Sequence, residues 1–286
     1  MRIAVIGASG MLGQPVARKL IEHGHEVTLL SRRPEALHGF EGTPIARADL
    51  FDAASLREAF RGKDAVYLNL SIAPGARSSD RHAETDGLRI ALAAARAERV
   101  RRVGLISSLV MRYQGMEGFD WWAFEVKQEA VRILRASGLP HLIFYPSSFM
   151  ENFSGSQRSG DKIMLAGKSL QKMWFIAGED YGEMVSRAFR LPEGESREYP
   201  IQGPEGFTYD EAARVYVENY PKATLRISRV PAFPLRVAAL FSPKMNYVHH
   251  ILTALNRYPE TFESERSWEE LGRPKITLAA FARNAP

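Results

Sequence analysis

The fold is decided by residues 1–30, MRIAVIGASGMLGQPVARKLIEHGHEVTLL. Residues 3–6 form a short apolar run that predicts a buried strand, and the apolar residues within 14–21 recur on one helical face. Gly24 ends this helix, and residues 27–30 predict a second strand. A strand, a glycine turn, a helix and a second strand in this order predict a right-handed unit with two parallel strands.

The same alternation of strands and helices continues to residue 145. Because parallel strands need helical crossovers, it predicts an α/β fold in which helices cover both faces of a doubly wound parallel sheet. After Pro146 the alternation stops, although 198–202 can add one strand and the capping box Thr208-Tyr-Asp-Glu211 predicts another helix. The later predicted strands are 65–70, 103–106 and 141–145, and the later predicted helices run through 56–60, 88–95, 124–134 and 180–189.

This change of pattern predicts two lobes. The sheet domain comprises residues 1–150 together with a returning segment, 179–203. Residues 151–178 are rich in glycine, serine and lysine, and we expect them to join 204–286 in a smaller, discontinuous, α-rich C-terminal lobe that holds the substrate.

The composition is that of an ordinary globular protein, with 45% apolar and 25% charged residues in a chain of 286. Cysteine is absent, which excludes thiolate nucleophiles and cysteine-ligated metals, and the seven histidines lack metal-ligand spacing, so we expect no metal site. No apolar run approaches the ~18 residues of a membrane span, so we expect a cytoplasmic protein without membrane contact. The net charge of +5 is spread along the chain among interleaved acids, so we expect no nucleic acid partner.

The turn between the first strand and the first helix is rich in glycine. Gly7 permits a tight turn, Gly10 lets the backbone approach a diphosphate, and Gly13 allows the helix and strand to pack closely. Since the helix N-terminus then faces the negative charge, the turn predicts a dinucleotide site; a glycine turn that binds nothing is the alternative. The predicted contacts in this turn are Gly7, Ser9, Gly10, Met11, Leu12 and Gly13.

The second strand ends in Ser31-Arg32-Arg33, at the point where an acidic residue usually bonds the ribose of NAD(H). No carboxylate here repels a 2′-phosphate, and a guanidinium group pairs with phosphate through two hydrogen bonds. We therefore predict NADP(H) as the cofactor, with Arg32 preferred over Arg33, which is equally explained as a solvated loop charge. Asp49-Leu50 follows the predicted third strand and is placed to line an adenine pocket, or, for Asp49, to cap a turn.

These residues, together with Lys127 and the segment Tyr145-Pro-Ser-Ser-Phe-Met-Glu-Asn-Phe153, resemble the NmrA-like branch of the atypical short-chain dehydrogenases/reductases. The resemblance covers roughly residues 1–210, with a weaker match at Leu271-Gly-Arg-Pro274. It implies a Rossmann fold that binds NADP(H). That branch is similar to isoflavone-reductase-like enzymes, NADPH-dependent quinone reductases and non-catalytic redox sensors that regulate transcription. Further predicted cofactor contacts are Asn69, Ser71, Pro146 and Ser148, together with Lys127.

The resemblance also implies a set of catalytic residues. Ordinary short-chain dehydrogenases carry Tyr-x-x-x-Lys on one helix face, where the tyrosine donates a proton and the lysine holds the nicotinamide ribose. Lys127 fits the lysine position, but the residue four positions earlier is Ala123, which has no proton to transfer. Ser108 corresponds to the upstream serine, so Lys127 and Ser108 are the predicted catalytic residues; an exposed helix lysine is the alternative for Lys127.

The missing tyrosine restricts the acceptors that can be reduced. Reduction of an isolated ketone gives an alkoxide whose conjugate acid is about as weak as water, with a pKa of ~15.7. Reduction of a quinone gives a phenolate-like anion whose conjugate acid has a pKa nearer ~10, a difference worth ~7 kcal/mol. A conjugated or aromatic acceptor is therefore favoured, and Lys127, Tyr113 and a water stay open as proton sources.

Aromatic and polar residues near the predicted cleft are candidates for substrate contacts. Phe149 is placed to stack on the nicotinamide or the substrate, with filling of the joint between the lobes as the alternative. Trp122 offers flat apolar surface, although aromatic residues at such spacing more often belong to a core. The predicted substrate contacts are Phe149, Glu151, Asn152, Tyr113 and Trp122.

The leading functional hypothesis is an NADPH-dependent reductase of a small conjugated or aromatic molecule such as a quinone. The alternative is a non-catalytic NADP(H)-sensing protein that binds a regulatory protein partner, which Ala123 favours. A nucleotide-sugar epimerase is disfavoured because that chemistry relies on the missing tyrosine. A homodimer and a complex with a regulatory partner both stay open.

Overall fold

The computed structural model describes residues 1–73 and 75–285, and strands alternate with helices through its first half. The strands are β1 (Arg2–Ile6), β2 (Glu26–Ser31), β3 (Ile45–Arg47), β4 (Ala65–Leu68), β5 (Arg102–Ile106), β6 (His141–Pro146), β7 (Arg158–Ser159), β8 (Lys162–Ala166), β9 (Met173–Trp174), β10 (Arg197–Ile201), β11 (Gly206–Phe207) and β12 (Arg226–Val230). The helices are α1 (Gly13–Glu22), α2 (Ala53–Phe60), α3 (Leu88–Ala97), α4 (Trp122–Ala136), α5 (Gly178–Ala188), α6 (Tyr209–Asn219), α7 (Ala232–Ala238), α8 (Pro243–Arg257), α9 (Glu265–Leu271) and α10 (Leu278–Asn284).

Seven of these strands form one parallel sheet in the order β10-β6-β5-β4-β1-β2-β3. β1 lies between β2 and β4, so the chain winds outward from β1 in both directions. β4, β5 and β6 are buried along their whole length, as expected for parallel strands covered on both faces. In such sheets ligands bind beyond the carboxyl ends of the strands where the winding direction changes, which are β1 and β4 here.

Helices cover the two faces of this sheet through separate hydrophobic cores. On one face α1 and α5 pack together so closely that a Cβ at Gly182 would lie 2.7 Å from the carbonyl oxygen of Pro15. On the other face α2, α3 and α4 contribute Leu56, Leu92 and Phe124, all of them buried. The sheet is therefore fixed from both sides, and its carboxyl edge is held in a defined position.

The chain after β6 leaves the main sheet and returns to it. β7, β8 and β12 form a three-stranded sheet, and β9 pairs with β11. Between these excursions α5 and β10 return, and β10 pairs in parallel with β6. The predicted capping box starts α6, since Thr208 Oγ1 accepts the N–H of Glu211 at 3.1 Å and the Glu211 carboxylate accepts the N–H of Thr208 at 2.9 Å.

This architecture confirms the predicted fold class, a doubly wound parallel sheet with an additional helical C-terminal region. The division into lobes at 1–150 with 179–203 and at 151–178 with 204–286 stays a proposal. None of the helices in residues 1–73 and 75–285 combines the length and the apolarity that crossing a membrane requires.

Candidate cofactor and active site

The glycine turn that follows β1 is held by contacts that only glycine allows. Gly7 has a φ of +89°, a conformation that glycine adopts without strain. A Cβ at Gly13 would lie 2.0 Å from the carbonyl oxygen of Gly7, so the first residue of α1 packs directly on the turn. The N–H of Gly10 donates to the same carbonyl at 3.1 Å. Two of the three glycines are thus required by the local backbone.

The N-terminus of α1 opens at the carboxyl edge of β1, with Ser9 and Met11 exposed and Leu12 half-buried. In the described part of the chain, neither Met11 nor Leu12 gives its N–H to a protein acceptor. The first turn of α1 carries no acidic side chain. Free N–H groups at the positive end of a helix dipole are suited to binding a phosphate.

The end of β2 presents a cationic surface. The hydroxyl of Ser31 accepts the N–H of Arg33 at 3.0 Å, which fixes the turn after the strand. The side chains of Arg32 and Arg33 are exposed, and neither forms an ion pair with an acid among the described residues. Arg47 lies beside them, since its guanidinium donates to the carbonyl of Arg32 at 3.1 Å, and it is paired with the carboxylate of Glu35 at 3.7 Å, which leaves Arg32 and Arg33 as the unpaired cations. This arrangement can bind an anion through several charge-assisted hydrogen bonds.

Asp49 and Leu50 both have protein partners in the structure. The carboxylate of Asp49 accepts the N–H of Phe51 at 2.9 Å, and the N–H of Asp49 donates to the Ser55 hydroxyl at 3.1 Å, contacts that fit the turn-cap alternative. Leu50 packs on Gly87, where an added Cβ would lie 2.5 Å from a Leu50 methyl group. Leu50 therefore fixes the position of the segment that leads into α3.

Asn69 links the end of β4 to the glycine turn. Its backbone N–H donates to the carbonyl of Ile6 at 3.0 Å, and its side-chain amide donates to the carbonyl of Gly7 at 3.4 Å. The Asn69 Oδ1 atom is buried without a hydrogen-bond partner among residues 1–73 and 75–285. Ser71, two residues later, is exposed. Buried polar oxygens are normally hydrogen-bonded, so the unpaired Asn69 Oδ1 atom indicates that a group bound at the junction of β1 and β4 could donate a hydrogen bond to it.

The ends of β5 and β6 bring the predicted catalytic residue Ser108 and two predicted cofactor contacts, Pro146 and Ser148, to the same edge of the sheet. Ser108 follows β5 and is half-buried, and Pro146 is the last residue of β6. The hydroxyl of Tyr209, on α6, donates to the Ser148 hydroxyl at 2.9 Å. Burial raises the pKa of Tyr209 to about 12, so this phenol stays protonated at neutral pH.

Lys127 is not an exposed helix lysine. Its ammonium lies 2.8 Å from the carboxylate of Glu84, and the two side chains are 18% and 3% exposed. Burial disfavours the charged form, but the attraction of Glu84 and the hydrogen bond to it outweigh burial, and the pKa of Lys127 is raised. One turn earlier on α4, Ala123 is 1% exposed. Lys127 is therefore held as a cation on a helix face that carries no hydroxyl at that position.

Glu84 is a residue that sequence reasoning missed. It lies in a π-helical segment, Ala83–Gly87, which leads directly into α3. Its Oε2 atom is buried and has no hydrogen-bond partner among the described residues. The nearest signal in the sequence is an acidic residue ahead of a helix, which is common at helix starts and does not identify a buried ion pair.

Two tyrosines outside α4 are candidate proton donors, Tyr113 beside Tyr258 and Tyr247 beside Lys127. Tyr113 is 5% exposed, its hydroxyl has no partner within the described chain, and burial raises its pKa. Tyr247, on α8, packs its ring edge-on against Trp121 at a centroid distance of 5.0 Å. Burial raises the pKa of Tyr247, while the neighbouring Lys127 ammonium lowers it in part. Sequence reasoning identified Tyr113 and missed Tyr247, which is distant along the chain.

The predicted substrate residues after β6 are occupied mainly by protein contacts. Phe149 is 6% exposed and packs edge-on against Tyr181 at 5.3 Å, contacts that favour the joint-filling alternative. The carboxylate of Glu151 accepts the N–H of Gly178 at 2.7 Å at the start of α5, and burial raises its pKa. The side chain of Asn152 accepts a bond from the Ser156 hydroxyl at 3.3 Å.

Trp122 stacks on the ring of His82 at a centroid distance of 5.1 Å, at the mouth of a cavity that Ser78 and Glu125 also line. Trp122 is thus a predicted substrate residue that lines a cavity in the described part of the chain. Among residues 1–73 and 75–285, no three histidine or acidic side chains lie close enough together to hold a metal ion.

A second buried carboxylate, Glu260, joins the ends of two sheet strands to the C-terminal region. It accepts the hydroxyl of Ser147, which follows β6, at 2.8 Å, and the amide of Gln202, which follows β10, at 2.7 Å. It is 7% exposed, and burial raises its pKa. The carboxyl edge of the sheet is thus closed on the β6 and β10 side by residues from the end of the chain.

Comparison with known proteins gives matches of several kinds. A family model described as NAD(P)H-binding matches residues 7–178. The (4-alkanoyl-5-oxo-2,5-dihydrofuran-3-yl)methyl phosphate reductase of Streptomyces griseus is 30% identical over 244 residues, which cover 83% of this chain and 77% of that protein.

Two solved structures share the fold. A nucleoside-diphosphate-sugar epimerase from Staphylococcus aureus has a TM-score of 0.76 at 20% identity and covers 99% of this chain and 100% of its own. The NADPH-dependent quinone oxidoreductase of Escherichia coli, complexed with NADPH, has a TM-score of 0.73 at 19% identity and covers 98% of each chain.

Proposed function

The chain belongs to the NAD(P)H-binding family, and on that premise we propose that it is an NADPH-dependent reductase of a small conjugated or aromatic acceptor such as a quinone. The names of two similar proteins support this assignment. The Streptomyces griseus relative is a reductase whose named substrate carries an oxo group and an alkanoyl group on a dihydrofuran ring. The Escherichia coli protein of the same fold is an NADPH-dependent quinone oxidoreductase.

The residues at the carboxyl ends of β1 and β2 fit a nicotinamide dinucleotide phosphate. The turn from Gly7 to Gly13 would hold the diphosphate with backbone N–H groups, and the close packing of Gly13 on Gly7 keeps the turn open to it. The exposed Arg32 and Arg33, neither of them ion-paired among the described residues, would hold the 2′-phosphate, while the acid of this turn, Glu35, is paired with Arg47. When bound, the reduced nicotinamide supplies a hydride to the acceptor.

The single observation that carries the acceptor class is Ala123, buried one turn before Lys127. This helix face offers no phenol that could protonate a strongly basic alkoxide as it forms. An acceptor that stabilises its own negative charge, by the ~7 kcal/mol that separates a phenol from an alcohol, needs no such acid. Lys127 contributes a positive charge near the reacting group, because Glu84 keeps it protonated.

The proton that completes reduction of the acceptor can come from a buried phenol or from a water. Tyr113 has an unpartnered hydroxyl among the described residues, and Tyr247 lies close enough to Lys127 to feel its charge. Both are protonated at neutral pH, as tyrosines ordinarily are, and because burial raises their pKa values each is a weaker acid than the phenol-like product, which favours a water as the final proton source. Ser108 orients the acceptor from the end of β5, and Trp122 lines its approach.

The test is to follow NADPH absorbance with a panel of quinones, enones and aryl ethers. We expect turnover of at least one conjugated acceptor and a preference for NADPH over NADH. Arg32→Ala should remove that preference, because it takes one guanidinium from the 2′-phosphate site, and Lys127→Ala should lower kcat. NADPH binding without oxidation by any member of the panel would refute the reductase assignment.

A second candidate is a non-catalytic NADP(H) sensor that binds a protein partner. Two observations favour the sensor. Lys127 is paired with Glu84, and Ala123 has no hydroxyl, so the face of α4 that carries both residues offers no catalytic acid. A sensor would bind NADPH and NADP⁺ with similar affinity and would change its affinity for a partner between the two. A large difference in cofactor affinity together with turnover would exclude it.

A further inference from the structure

Helix α7 turns its large apolar side chains outward. Phe233, Val237, Leu240 and Phe241 are spaced so that they share one helical face, and they are 73%, 41%, 78% and 83% exposed. The inner side of this helix is formed by Leu235 and Ala238, which are half-buried, and by Ala239, which is 6% exposed. A surface helix of a globular protein normally does the reverse and buries its large apolar residues.

This outward face is held by regular structure. Beyond the last residue of α7 the N–H groups of Leu240 and Phe241 still donate to the carbonyls three residues earlier, at 3.1 and 3.2 Å. Ser242 then caps α8 by accepting the N–H of Met245 at 3.4 Å, with Pro243 at the first helical position. Leu240 and Phe241 therefore stand at the bend of a helical hairpin, which we call the α7–α8 tip (residues 233–244).

The tip lies in a segment without acidic residues. Residues 219–259 contain neither aspartate nor glutamate, so the expectation that acids are interleaved along the chain does not hold there. Within the described part of the chain, the exposed Arg236 and Lys244, which flank Leu240 and Phe241, form no ion pair. The cations of this segment are Lys222, Arg226, Arg229, Arg236, Lys244 and Arg257.

We propose that the α7–α8 tip is a membrane-docking surface that inserts its apolar side chains into the interface of an anionic phospholipid bilayer. An apolar helix face flanked by unpaired cations matches the two components of interfacial binding, hydrophobic burial at the acyl boundary and attraction to anionic headgroups. The protein would lie on the bilayer and would not span it, which departs from the expectation from the sequence that it makes no membrane contact.

A second copy of the chain fits this surface less well. In a twofold dimer the same patch meets itself, so Arg236 and Lys244 of both copies would share one interface with no acid in the segment to neutralise them. The apolar part also consists of four side chains, which is small for an interface that needs roughly 800 Å² from each partner. A bilayer surface with negative headgroups attracts the cations and does not require a large apolar contact area.

The experiment is co-sedimentation of the full chain with vesicles of phosphatidylcholine alone and of phosphatidylcholine mixed with phosphatidylglycerol. We expect binding to the mixed vesicles that weakens as salt is raised, because exposed charges are screened. Leu240→Ser/Phe241→Ser should abolish it. Arg236→Gln/Lys244→Gln should weaken it by about fivefold for each charge removed.

Matched controls separate this surface from general stickiness and from net charge. Met116→Ser changes an apolar residue that is 39% exposed outside the tip, and Arg61→Gln/Arg132→Gln removes two charges elsewhere. Both controls should keep wild-type binding, and all variants should keep the wild-type circular dichroism spectrum and Tm.

Three results would overturn the proposal. These are no binding of the wild type to mixed vesicles, binding that Leu240→Ser/Phe241→Ser leaves unchanged, and sedimentation velocity showing a dimer that this variant dissociates. The last would assign the tip to a second copy.

Discussion

The ion pair between Lys127 and Glu84 should show strong thermodynamic coupling in a double-mutant cycle. Glu84→Gln leaves an ammonium group that is 18% exposed without its counter-ion, and Lys127→Met leaves a carboxylate that is 3% exposed without its own. Because each single change strands a charge that the protein has largely desolvated, each should be costly, whereas removing both charges together should cost little.

The magnitude follows from the burial of the pair. Loss of one partner of a fully buried pair costs about 3–5 kcal/mol. Because Lys127 keeps some exposure, we expect each single variant to lower the free energy of unfolding by about 3 kcal/mol, the lower end of this range. For a chain of this length that corresponds to a fall in Tm of about 5 °C. The double variant should lose about 1 kcal/mol, which leaves a coupling energy of several kcal/mol.

Urea unfolding of the four proteins at pH 7 and pH 9 measures this coupling. The folded-state pKa of Lys127 is raised, so the stabilisation is fully present below its ordinary value of about 10.4 and is lost only as pH rises through the folded pKa. The coupling should therefore be equal at the two pH values. Losses that add to within about 0.5 kcal/mol would refute the buried pair.

Three further predictions follow from other parts of the chain. Gly13→Ala places a Cβ 2.0 Å from the Gly7 carbonyl oxygen, so it should lower the free energy of unfolding by about 3 kcal/mol and weaken NADPH binding, as measured by thermal unfolding and calorimetry. Gly75→Ala, whose Cβ meets nothing within 4 Å, should leave both unchanged, and equal effects would contradict the reasoning. Tyr113→Phe should lower kcat and leave the KM for NADPH unchanged if this phenol is the proton source, whereas an unaltered kcat would exclude Tyr113 and leave Tyr247, Lys127 and a water as proton sources. Hydrogen bonds from Tyr199 and two arginines lower the pKa of Glu270 to about 2, so its stabilisation is present above about pH 4.3 and lost towards pH 2. The deficit of Glu270→Gln in urea unfolding should accordingly shrink between pH 7 and pH 3.5.

The fold and the cofactor turn could be predicted from the sequence because local patterns determine them. Alternating apolar runs and helical faces define the parallel sheet, and the spacing of Gly7, Gly10 and Gly13 defines the turn. The family match confirms the predicted kinship with NAD(P)-binding proteins of this fold and the nicotinamide cofactor. The individual site residues stay predictions, which the variants above test.

Contacts between distant segments could not be predicted in this way. Lys127 and Glu84 are 43 positions apart, and their pairing depends on a π-helical segment that has no sequence signature. The side chains of Phe149 and Glu151 also illustrate this limit, because a ligand contact and a packing contact use the same residue types at a strand end. The outward face of α7 depends on which side of the helix meets α8, which its composition does not reveal.

The buried carboxyl of Glu260 constrains how this protein can be recombined with its relatives. Two of its donors, the Ser147 hydroxyl and the Gln202 amide, come from different crossings of the chain and a third is the N–H of Trp174, so a chimaera that exchanges only the C-terminal segment would separate this acid from its donors. A buried carboxyl group without hydrogen-bond donors destabilises the folded protein. The region affected here is the carboxyl end of β6 and β10, which lies beside the proposed acceptor site. Exchange of acceptor specificity by domain grafting should therefore succeed only when Ser147, Gln202 and Glu260 are all taken from the same parent protein.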